Sequence, residues 1–135
     1  MTEKLRILVV DDEKVVRDGC SRVLTGKGYE IEAAENGKEA LSVLVEGEVD
    51  IILLDLKMPV MGGEEVLEKV SAEYPHIPVI IITGHGTVDT AVECMKNGAY
   101  DFITKPFQID QFLMTIKRAA DKIILGRKTK DLEEQ

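Results

Sequence analysis

What most constrains this chain is an alternation between two kinds of segment. Short apolar runs at residues 5–10, 29–34, 51–54, 79–82 and, more weakly, 100–103 are separated by longer stretches with apolar residues at helical spacing. The first, third and fourth runs are apolar at nearly every position and rich in Ile and Val, as parallel strands covered on both faces would be. The second differs: Glu30 and Glu32 alternate with Tyr29, Ile31 and Ala33, the pattern of a half-exposed edge strand. Between the runs, Val15, Val16, Cys20, Val23 and Leu24 form one helical stripe that Gly26-Lys27-Gly28 ends. Asn36 is placed to cap a second helix carrying Ala40, Leu41 and Leu44. Val66, Leu67, Val70 and Tyr74 mark a third, and Val88, Ala91, Val92 and Met95 a fourth that Asn97-Gly98 closes. Ile109, Phe112, Leu113, Ile116, Ala120 and Ile123 mark a fifth. Strand and helix alternating five times predict an α/β chain with a parallel sheet and helices on both faces.

The balance of 17 basic and 25 acidic residues, a net charge of -8, argues against a segment that grips a nucleic-acid backbone. No apolar run approaches the length of a membrane span, and no signal peptide is visible before the first strand. Cys20 and Cys94 lie in separate helical segments without metal-ligand spacing and read as small buried hydrophobes. A reducing cytoplasm is the expected compartment.

In open α/β sheets ligands sit at the carboxyl ends of the strands. There the sequence places Asp11-Asp12-Glu13 after the first strand, Asp55 after the third, Thr83 after the fourth and Lys105 after the fifth. Each alone has a plainer reading. Asp11 or Asp12 could cap the first helix, Asp55 could make an Asx turn before Pro59 and Gly62-Gly63, and Thr83 could cap the fourth helix. Lys105 could be a solvated charge. Helix caps do not, however, require three carboxylates, a hydroxyl and a lysine to meet on one sheet edge.

If they do meet, two carboxylates about 4 Å apart repel by roughly 4 kcal/mol at an effective dielectric near 20. Cations must offset that. Lys105 supplies one charge and a hard divalent ion two; an all-oxygen donor set without clustered His or Cys points to Mg2+ rather than Zn2+. Mg2+ prefers one or two protein carboxylates plus a phosphate oxygen, so the edge is suited to a phosphoryl group. Asp is already ionised at neutral pH and is a nucleophile without a base.

Four motifs in order, Val9-Val10-Asp11-Asp12-Glu13, Leu54-Asp55-Leu56-Lys57-Met58-Pro59 with Gly62 or Gly63, Thr83-Gly84, and Lys105-Pro106-Phe107, resemble the receiver domain of two-component response regulators. The resemblance covers residues from about 4 to 124 and implies a flavodoxin-like, doubly wound (βα)5 sheet of strand order 2-1-3-4-5. It implies Asp55 as phosphoacceptor for a sensor histidine kinase. For Mg2+ it implies Asp12 as a direct ligand, Asp11 through water, Asp55, and the carbonyl of Lys57. Thr83 and Lys105 would hold the phosphoryl group, with a cis Lys105-Pro106 bond, and Phe102 would be the aromatic switch beside Thr83. The output surface, and a possible homodimer contact, would be the face of the fourth helix, fifth strand and fifth helix. Lys57 and His85 occupy positions that tune phosphoryl lifetime in such receivers.

The Thr83-Gly84-His85-Gly86 turn and the stretch from Gly98 to Phe107 are similar to receivers of the nitrogen-regulation (NtrC) type, which are fused to an ATPase and a DNA-binding domain in transcription regulation. Residues 125–135 are charged and read either as a frayed terminus or as the start of a helical linker to an output domain beyond residue 135. Two other functions stay open. A haloacid-dehalogenase-like phosphatase needs a second acid two residues after its nucleophile, where this chain has Lys57. A degenerate receiver would be a phosphate-independent binding module.

Overall fold

A computed structural model describes residues 4–58, 61–84 and 87–133. Among the described residues five strands, β1 (Arg6–Val10), β2 (Glu30–Ala34), β3 (Ile51–Leu54), β4 (Val79–Thr83) and β5 (Asp101–Thr104), alternate with five helices. The helices are α1 (Lys14–Thr25), α2 (Gly37–Glu46), α3 (Gly63–Glu73), α4 (Val88–Lys96) and α5 (Ile109–Glu133). All strand pairs are parallel, in the order β2-β1-β3-β4-β5. The parallel α/β sheet is the one its alternation predicts, and the strand order is that of the flavodoxin-like fold the resemblance implies.

Alternation of side chains along each strand divides the core in two. Leu8, Val10, Ile52, Leu54, Val79 and Ile81 face one cluster with Ala40, Leu44, Val66, Leu67, Val70 and Cys94. Ile7, Val9, Ile51, Leu53, Ile80 and Ile82 face the other with Cys20, Leu24, Phe112, Ile116 and Ala119. Both cysteines are buried and unpaired, in keeping with their reading as small buried hydrophobes. The two-faced burial explains why β1, β3 and β4 are apolar throughout.

The edge strand β2 departs from the expected alternation, since Ala34 is buried and Ala33 exposed. A larger correction concerns α4. Its apolar residues Val88, Val92 and Met95 are 80%, 47% and 47% exposed, and Cys94 is the residue it buries. Helical spacing identifies a stripe but not the side on which it faces the sheet.

Asn36 caps α2 by accepting from the Glu39 amide at 2.8 Å, as the sequence predicts. The cap of α4 is Thr87, which accepts from the Thr90 amide at 3.1 Å; Thr83 is thereby released from the capping role. Gly98 ends α4 with φ of 105° and lies so close to Ser71 that a side chain there would meet its hydroxyl. Helix α5 passes residue 124 without a break, and Arg127 Nη2 donates to Asp50 Oδ1 at 2.6 Å, tying that later part to the start of β3.

Candidate functional site

Parallel pairing brings the carboxyl ends of β1, β3, β4 and β5 to one edge. Val10 is registered with both Ala34 and Leu54, so Asp11 and Asp55, each the next residue, emerge side by side. Two backbone bonds extend the pairing past the strands: the Asp55 amide donates to the Val10 carbonyl at 2.9 Å, and the Asp11 amide to the Ala34 carbonyl at 3.1 Å. Thr83 and Thr104 close the last registered pair of β4 with β5, and the Lys105 amide donates to the Thr83 carbonyl at 2.8 Å.

Asp11 and Asp55 are buried, 0% and 4% exposed, while Asp12 is exposed. One carboxylate oxygen from each lies within 4.8 Å of the others. Lys105 Nζ donates to Asp11 Oδ2 at 2.7 Å and lies 3.8 Å from Glu13 Oε1. The other oxygen of Asp11, Oδ1, accepts from the Glu13 amide at 2.9 Å. Thr83 is fully buried at its strand end, and Phe102 is half-buried on β5, registered with Ile81. The Lys105-Pro106 peptide is cis. Lys57 is exposed beside Asp55. Pro59, His85 and Gly86 lie outside the described residues.

The electrostatics follow from this packing. Burial raises the pKa of Asp55, and the charges of Asp11 and, less strongly, Asp12 add to the rise. The ammonium of Lys105 and a backbone hydrogen bond from Lys57 oppose it without cancelling it. Burial acts to lower the pKa of Lys105. The hydrogen bond to Asp11 and the charges of Asp11, Asp55 and Glu13 outweigh that, and the net shift is upward. The edge is therefore a carboxylate cluster short of positive charge, with one firmly protonated lysine.

The donor set fits a hard divalent cation. Three carboxylates converge within reach of one ion, none is a nitrogen or sulfur donor, and burial together with the charge of Asp11 keeps the pKa of Asp55 raised.

Residues 7–117 match the response regulator receiver domain family. The chain belongs to that family. A putative NtrX-like response regulator of Rickettsia bellii is 40% identical over 131 residues, 96% of this chain and 27% of that protein. The DNA-binding transcriptional regulator NtrC of Escherichia coli is 38% identical over 113 residues, 84% of this chain and 24% of that protein. Among solved structures, NtrX from Brucella abortus superposes with a TM-score of 0.88 at 34% identity, covering 96% of this chain and 30% of that one. A CheY-like receiver from Methanospirillum hungatei superposes with a TM-score of 0.87 at 31% identity, covering 92% of this chain and 99% of that one. This receiver spans about a quarter of the length of the curated regulators it matches.

The receiver site includes one residue that sequence reasoning missed. Arg17 Nη1 donates to the main-chain carbonyl of Asp11 at 2.8 Å. Four residues after Glu13 on α1, Arg17 reads in sequence as half of an ordinary surface pair. At Gly63 the sequence leaves a choice. A Cβ there would fall on the carbonyl oxygen of Asp55 and 2.8 Å from the Leu56 Cα, whereas Gly62 meets only ordinary contact at 3.5 Å. The motif admits either glycine; the close approach selects Gly63.

The raised pKa of Asp55 has a consequence for stability. The folded receiver holds this proton more tightly than the unfolded chain does. The folded state is therefore penalised progressively as pH rises from the ordinary carboxylate range through the folded pKa. Asp55→Asn removes that penalty. In EDTA at pH 7 its Tm rises by about 4 °C, equivalent to about 1 kcal/mol for a domain this size. The gain vanishes below pH of about 3.8, where both states are protonated. Calorimetry across pH checks this; a gain that persists in acid would assign the effect to something other than charge.

Proposed function

We propose that this receiver takes a phosphoryl group from a sensor histidine kinase onto Asp55 and thereby changes the surface formed by α4, β5 and α5. The observation that carries the reading is the convergence of Asp11, Asp12 and Asp55 with Lys105 on one sheet edge. Asp12, Asp11 and Asp55, with the Lys57 carbonyl, would hold Mg2+, which when bound supplies charge neutralisation for the phosphoryl oxygens.

The chain's own residues account for the rest of the transfer. A carboxylate oxygen of Asp55 forms the new O–P bond as the donor's N–P bond breaks, leaving the donor imidazole with the electron pair. Lys105, hydrogen-bonded to Asp11, is the mobile cation on this edge: its long stem lets the ammonium turn from Asp11 to the phosphoryl oxygens. The Thr83 hydroxyl, at the end of β4, would donate to the same group. Drawing Thr83 inward vacates space beside β5, and the half-buried ring of Phe102 can follow. Phe carries no hydroxyl, so the change rests on packing. The outward apolar residues Val88, Val92 and Met95 give α4 a surface suited to a partner or a second copy.

The receiver unit spans residues 4–124, and residues 125–135 lead toward an output domain with a role in transcription. The longer regulators that share this segment, and the continuity of α5, support that reading. Acetyl phosphate with Mg2+ adds the mass of one phosphoryl group to the wild-type receiver and none to Asp55→Asn. Equal labelling of both proteins in intact-mass spectra would contradict the assignment. Steady turnover of a generic phosphate ester would instead favour a phosphatase.

A further inference from the structure

The main chain between Asp11 and Asp12 lies in neither ladder. The parallel registers of β1 end at Val10, and the first bonds of α1 run from Val16 and Arg17 to the Glu13 carbonyl. The Asp11 carbonyl is instead taken by the guanidinium of Arg17, reaching back from the first turn of α1 to 2.8 Å. A peptide unit is planar, so fixing that oxygen fixes the plane from which the Asp12 Cα departs. The directions of both carboxylates relative to Asp55 depend on that plane.

Besides the bond from its amide to the Ala34 carbonyl, Asp11 has three tethers. Lys105 holds Oδ2, the Glu13 amide holds Oδ1, and Arg17 holds the carbonyl. The first is surrendered if Lys105 turns to a phosphoryl group. The second fixes the carboxylate but not the peptide behind it. Arg17 alone among the three acts on the main chain, keeps its charge at every working pH, and brings a cation to an edge crowded with acids.

We propose that Arg17 is a positioning residue for divalent-cation binding, holding Asp11 and Asp12 at the spacing the ion requires. This rests on the phosphoacceptor reading above and deepens it. Isothermal calorimetry with MgCl2 on the whole 135-residue chain tests it, using the wild type, R17Q and R17K. R17Q weakens Mg2+ binding about tenfold, the scale on which outer supporting partners act on a metal site. R17K, which restores the charge without the fork, recovers part of the loss. The Mg2+ concentration that half-saturates phosphorylation by acetyl phosphate rises by the same factor as the calorimetric constant. An R17Q protein whose Tm in EDTA falls while its Mg2+ constant matches the wild type would show a purely structural arginine and overturn the inference. A wild type that takes up no Mg2+, with Asp12→Asn alike, would overturn the phosphoacceptor reading together with this one.

Discussion

Replacing Lys105 by methionine costs about 3 kcal/mol of folding stability in EDTA at pH 7, because it strands a buried carboxylate. Methionine keeps most of the stem, so packing changes little and the loss reports the charge. Asp11 is 0% exposed and receives Lys105 Nζ at 2.7 Å; without it, Asp11 faces Asp55 across a poorly hydrated edge. The sign with pH follows from the raised pKa of Lys105. The stabilisation it brings is fully present below the ordinary value of 10.5 and is lost as pH rises through the higher folded value. The destabilisation of Lys105→Met is thus undiminished across the neutral range and shrinks only above pH of about 10.5. Urea titrations would show a lower midpoint with an unchanged slope. Millimolar Mg2+ restores part of the loss by binding the folded state alone. A variant as stable as the wild type at pH 7 would mean that the ion pair is not what holds the edge together.

Gly63→Ala has an effect of similar size from a different cause. The new methyl would fall on the carbonyl oxygen of Asp55 and within 2.9 Å of its carbon, and neither atom is at the end of a flexible side chain. The start of α3 must back away from the β3–α3 turn, breaking the 2.9 Å bond from the Gly63 amide to the Leu56 carbonyl. The cost is about 3 kcal/mol, the upper range for overpacking, and phosphorylation falls as well because the displaced peptide belongs to Asp55. Gly62→Ala is the control. At the N-cap of α3, where a Cβ meets only ordinary contact at 3.5 Å, it costs less than about 1 kcal/mol. Equal losses at the two positions would show that close approach is not the reason for Gly63.

These contrasts mark what the sequence makes legible. Strand and helix alternation determines the layers because each apolar run is long enough for one strand and each stripe for one helix. The carboxylates, Thr83 and Lys105 are visible because parallel strands deliver their C-terminal neighbours to a common edge. Arg17 is not visible, and Gly63 cannot be told from Gly62: each matters through an approach between segments distant from the local pattern. For α4, the spacing of Val88, Val92 and Met95 is helical whether the stripe faces in or out, and only the helix's rotation on the sheet decides.

The account stands on one covalent event. After treatment with acetyl phosphate and Mg2+, borohydride reduction of an aspartyl phosphate leaves homoserine, which tandem mass spectrometry locates in a peptide. The account predicts that conversion at position 55 and at no other aspartate. Conversion at Asp11 or Asp12, or none in a folded, Mg2+-loaded wild type, would contradict it.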